Sequence, residues 1–129
     1  MQLEGKKVSD EVSALPPQVQ ERLVKMQRLQ QTLQSILAQK QQVNVESSET
    51  EQALSELQKM TDEAVVYKAM GTILVKTERT RMISELTERK DLLSTRVTVL
   101  QKQEERLRNQ LKDIETQLRQ DLNPVSPQL

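Results

Sequence analysis

A mainly α fold, two long helices paired as an antiparallel coiled coil and joined by a single β-hairpin, is what three features of this sequence predict. Gln, Glu, Lys, Arg and Leu dominate a chain that has one Tyr and neither Phe nor Trp, a mixture that suits long paired helices better than a globular core. Apolar residues recur at alternating spacings of three and four through both halves, the period of a helix seam. Between the halves, Val65 to Thr77 sets β-branched and apolar residues on either side of Gly71-Thr72, and Gly tolerates the positive φ of a tight hairpin turn.

Residues 1–14 are polar and show no period, which predicts a flexible tail. Leu15-Pro16-Pro17 starts the first helix, because a proline in the first turn gives up an N–H that would have no partner there. The heptad then runs through Met26, Leu29, Leu33, Ile36, Val43, Leu54, Leu57 and Ala64, and is interrupted at Lys40, Ser47 and Thr50. Asn44 to Thr50 is also weak helix-forming sequence, so the middle of this arm is expected to be its least stable part. Met60 to Glu63 closes the helix.

The hairpin at 65–77 follows with little linker. Val65, Tyr67, Ala69 and Leu74 fall on one face, and Val66, Met70, Ile73 and Val75 on the other. Two strands apolar on both faces are marginal alone in water and need partners that this chain does not have. Val65, Val66, Tyr67, Met70, Ile73, Leu74 and Val75 are therefore the expected assembly residues, their edges completed by other subunits.

Thr80 reads as the N-cap of the second helix. Its stripe carries Ile83, Leu86, Leu93, Val97, Leu100, Leu107, Leu111, Ile114 and Leu118, with Lys90 and Glu104 as polar intruders. Acid-before-base pairs at Glu21 and Lys25, Glu85 and Arg89, Glu104 and Arg108, and Glu115 and Arg119 support the helical exteriors. Asn123-Pro124 ends the helix, leaving 123–129 as a C-terminal tail. The expected helices, roughly 50 and 42 residues long, extend about 60 to 75 Å each. If Ala64 meets Ile83, then Leu54 falls opposite Leu93, Leu33 opposite Ile114 and Leu29 opposite Leu118.

Charge and chemistry narrow the function. Residues 1–64 carry 7 basic and 10 acidic side chains, and residues 65–129 carry 12 and 9, so arms of net −3 and +3 sum to zero. No basic field remains for phosphate backbones, which argues against nucleic acid. The absence of Cys and His removes thiolate chemistry, imidazole metal ligands and the usual nucleophile triads. Two glycines, Gly5 and Gly71, leave no phosphate-cradling loop. No enzyme activity, cofactor or metal is expected. No apolar run has the length of a membrane span or of a secretory signal, and cysteine is lacking, so a soluble cytoplasmic protein without membrane contact is expected.

The free ends hold more apolar surface than a two-helix seam requires: Leu15, Val19, Leu23, Val24 and Met26 near the start, with Leu107, Leu111, Ile114, Leu118, Leu122 and Val125 near the finish. These read either as an ordinary seam with fraying ends or as an adaptable binding surface of flexible side chains.

Leu-Pro-Pro-Gln-Val-Gln at Leu15 to Gln20, Val-Tyr-Lys-x-x-Gly-Thr-x-Leu-Val-Lys at Val66 to Lys76, and Glu-Leu-x-Glu-Arg-Lys from Glu85 resemble the beta-type subunits of the prefoldin family over Leu15 to about Leu122. The resemblance implies a subunit with one hairpin that completes an intersubunit β-barrel, in a hexamer of alpha-type subunits and further beta-type copies. It also implies an ATP-independent chaperone whose coiled-coil tips bind unfolded polypeptide and deliver it to a group II chaperonin. The client-binding residues would then be the eleven apolar positions at the free ends. The alternative is a structural coiled-coil tether that oligomerises through its hairpin and docks one fixed partner.

Overall fold

A computed structural model describes residues 14–123. The expected tails at 1–14 and 123–129, Ala14 and Asn123 apart, lie outside the described residues, as does Val125. The elements are helix α1 (Pro17–Lys59), strand β1 (Val66–Met70), strand β2 (Ile73–Thr77) and helix α2 (Arg79–Leu122). The chain divides into two compact units, a terminal unit of residues 14–37 with 103–123 and a hairpin unit, Ala38–Lys102. Each helix passes from one unit into the other.

α1 begins as its prolines dictate. The Pro16 carbonyl accepts from the amides of Val19 and Gln20 at 3.0 and 3.1 Å, while Pro17 takes the first helical position, where it has no N–H to leave stranded. α1 is unbroken through Asn44 to Thr50. Thr50 is buried there, and its hydroxyl donates to the Glu46 carbonyl one turn back at 2.8 Å, so this seam position is filled by a polar residue that brings its own partner.

α1 ends at Lys59, earlier than expected, because the Arg79 guanidinium takes over its C-terminus. Nε donates to the Leu57 carbonyl at 2.7 Å, and Nη1 donates to Asp62 at 2.9 Å. The last carbonyls of a helix lack internal partners, and a cation there also complements the helix dipole. This clasp joins the first turn of α2 to the last turn of α1, and Ala64 lies outside the helix in a turn closed by its amide on the Thr61 carbonyl.

The arms are consequently offset from the expected register. That register sets Lys90 opposite Leu57 and Asp121 opposite Met26, whereas Lys90 pairs with Glu51 in the hairpin unit and Asp121 with Arg22 in the terminal unit. The displacement is about one to two helical turns. A seven-residue repeat is satisfied equally well after a slip of one repeat, and the clasp decides between the options.

Two smaller expectations are also corrected. α2 starts at Arg79, so Thr80 lies inside its first turn, and the carbonyl that receives the first helical bond, from Met82 at 3.0 Å, belongs to Glu78. Of the acid-before-base pairs, Glu104 and Arg108 meet at 2.9 Å, but Glu85 is engaged by Lys68 and Arg89 by Glu46. Partners on neighbouring elements thus replace the expected pairing of Glu85 with Arg89, while Arg81, one turn earlier, lies 3.8 Å from Glu85.

The hairpin pairs antiparallel with Val66 opposite Thr77 and Met70 opposite Ile73. Gly71 has φ of 63° and no other described residue has positive φ, the pattern of a two-residue type II′ turn. A Cβ on Gly71 would meet no atom within 4 Å, so an alanine there is resisted by conformation alone. Gly71→Ala is expected to destabilise the chain by about 1 to 2 kcal/mol, read as a lower denaturation midpoint at unchanged slope.

No helix among the described residues is long and apolar enough to cross a membrane.

Candidate functional site

Two surfaces stand out, one in each unit. In the hairpin unit the strand register places Val66, Lys68, Met70, Ile73, Val75 and Thr77 on one face, and Tyr67, Ala69, Leu74 and Lys76 on the other. The first face turns toward α2 at its open end: Val66 is buried, and the Lys68 ammonium donates to Glu85 of α2 at 2.8 Å. That hydrogen bond and the charge behind it hold the Glu85 carboxyl below the usual carboxylate range, with Arg81 adding to the effect. Toward the turn the strands lose all cover. Ile73 is 60 % and Leu74 70 % exposed, on opposite faces, and Val65, Tyr67, Met70 and Val75 are exposed with them. Six of the seven expected assembly residues thus lie on the surface of the single chain, in a sheet of two strands whose outer edges pair with no strand among the described residues.

The terminal unit gathers the other candidates. Val19, Leu111, Ile114 and Leu118 are buried in the seam. Leu15, Leu23, Met26 and Leu107 are half-buried along it. Val24 and Leu122 point outward at 49 % and 60 % exposure. Val24 lies in a shallow groove on the outside of α1 with Pro17, Gln20, Glu21, Lys25 and Arg28. The entry to this helix is held by the Gln20 side-chain amide, which donates to the Leu15 carbonyl at 2.7 Å. Among the described residues there is no group of carboxylates arranged to hold a metal.

One feature here escaped the sequence reading. Arg22 and Asp121, 99 residues apart, form an ion pair, and each side chain is 22 % exposed. Both stand on the seam spacing: Val19, Arg22, Met26 and Leu29 on α1, and Ile114, Leu118 and Asp121 on α2. That spacing was the available signal. The apolar pattern draws attention to the residues that obey it and hides the charged ones that share their positions.

Two long helices whose sole connection is one hairpin, with that hairpin left uncovered, define a class of coiled-coil subunits. The family described as Prefoldin subunit matches residues 20–124 of this chain. Prefoldin subunit beta of Archaeoglobus fulgidus is 47 % identical over 110 residues, covering 85 % of this chain and 95 % of the relative. That of Methanothrix thermoacetophila is 42 % identical over 113 residues, covering 88 % and 94 %. The crystal structure of the prefoldin beta subunit from Thermococcus strain KS-1 superposes with a TM-score of 0.76 at 39 % identity, covering 88 % of this chain and 96 % of that one. The beta2 subunit of the same strain shares the fold, with a TM-score of 0.64 at 22 % identity. The chain belongs to the prefoldin family, among its beta-type subunits. That family is one of chaperones acting in protein folding.

Proposed function

We propose that this chain is a subunit of a hetero-oligomeric, nucleotide-independent chaperone. Its hairpin joins those of alpha-type subunits and further beta-type copies in a hexamer. Its terminal unit holds unfolded polypeptide and passes it to a group II chaperonin in the cytoplasm. The observation that supports this reading is the exposed hairpin, whose apolar side chains and open strand edges strands from other subunits would cover.

The holding surface would consist of Val24 and Leu122 with the half-buried Leu15, Leu23, Met26 and Leu107 beside them. Such a surface has no defined shape to impose on a ligand, and flexible Leu and Met side chains fit many sequences. Burying one of them is worth about 1.5 to 3 kcal/mol. A single subunit therefore holds a segment weakly, and several on one assembly hold it firmly through effective concentration.

Changing Leu23, Val24 and Leu122 to Ser, singly and then together, is expected to reduce protection of several unrelated aggregating proteins in steps, with native mass unchanged. Undiminished protection would move the surface elsewhere in the assembly. Protection of only one protein out of many would favour the tether.

A further inference from the structure

We propose that the Arg22–Asp121 ion pair is a latch over a second, covered part of the polypeptide-holding surface. The inference rests on the reading that the terminal unit holds unfolded polypeptide, and it deepens that reading.

Pattern and burial conflict at the free ends of the helices. Val19, Leu111, Ile114 and Leu118 belong to the apolar excess of the chain's ends, yet all four are buried in the closed seam, where no polypeptide reaches them. They contribute to holding only when the helix ends part. Parting at this end uncovers these side chains and also breaks an ion pair that stands where the repeat would otherwise place apolar residues. Arg22 lies between Val19 and Met26 in the seam sequence of α1, and Asp121 follows Leu118 in that of α2.

An ion pair closes a seam differently from a leucine layer. Taking two charges partly out of water costs much of what their attraction returns, so well-packed apolar replacements are often as stable or more so. Once parted, Arg22 and Asp121 are both solvated by water, and little is lost. A parted leucine layer has no such compensation. An open groove lined by Gln18, Glu21, Arg22, Lys25, Ile114 and Gln117 leaves Arg22 and Ile114 open to approach from the side. The latch therefore favours the closed end in the absence of polypeptide and yields when apolar side chains arrive to cover Val19 and Leu118.

The test uses the full chain in its assembled form and two readouts. Amide exchange in residues 17–24 and 114–122 reports parting directly. Binding of a fluorescently labelled, carboxymethylated and permanently unfolded protein reports holding. Arg22→Glu, which sets two acids against each other, is expected to accelerate exchange about tenfold and to tighten holding by at most the same factor. The exchanged pair R22D/D121R is expected to restore both, and R22L/D121L to slow exchange and weaken holding below that of the unsubstituted chain. Arg22→Gln gives the same signs more mildly should Arg22→Glu lose helical circular dichroism. Unchanged exchange in both Arg22 variants overturns the latch. Faster exchange without tighter holding overturns the covered surface and leaves the exposed one standing. No holding by the unsubstituted chain overturns the holding reading itself, while exchange still reports the latch.

Discussion

Replacing Ile73 and Leu74 together by Lys is expected to disperse the assembly to single chains while leaving the helical circular dichroism intact. The two side chains are 60 % and 70 % exposed in the single chain and point to opposite faces of the hairpin, so charging them costs the isolated fold almost nothing. In an assembly that covers both faces, each ammonium would lose its water without gaining a partner, at a cost of several kcal/mol apiece. That exceeds what a few strand-strand contacts return. Native mass measured before and after the substitution decides the matter, and an unchanged mass would mean that the hairpin is not the joining surface.

The second large effect belongs to Leu93, which is 0 % exposed. Two ion pairs between the arms, Glu46 with Arg89 and Glu51 with Lys90, lie beside it in the hairpin unit, and Thr50 is buried in the same stretch of α1. Leu93→Ala is expected to cost about 2 to 5 kcal/mol, because a fully covered leucine leaves a void that the surrounding seam closes only in part. The measurement is chemical denaturation of the full chain. A cost below 1 kcal/mol would show that the seam closes over the missing side chain. The Glu46 and Glu51 pairs contribute little by comparison, being exposed.

Much of this architecture is legible in the sequence because it follows from strong local signals. A glycine at the required positive φ, β-branched residues around it and prolines at a helix start each act on their own backbone. The strand faces follow from a period of two, and the register bears them out. The pairing of the arms is less legible because a heptad matches itself after every seven residues. The choice was made by Arg79, one long side chain reaching backbone carbonyls at the far side of the hairpin, and periodicity does not register such a contact. The candidate polypeptide-binding residues divide for a related reason. Spacing identifies a stripe at Val19, Leu111, Ile114 and Leu118, but a stripe is covered or open according to what packs on it. Val24, off the stripe, and Leu122, at the end of α2, are the candidates left most exposed.

The Arg79 clasp also imposes an order in time. It joins residues 22 apart, whereas Arg22 must wait for Asp121, 99 residues further along. At about 5 to 20 residues per second of synthesis, the clasp becomes possible within about 1 to 4 s of Leu57 emerging, and the Arg22 pair only after about 5 to 20 s. Pairing nucleated at the clasp and propagated outward meets short loop closures at every step. The apolar residues of early α1 are thus the last to find their own partners, and during each round of synthesis this chain is itself an unfolded polypeptide with the candidate binding residues of that segment uncovered.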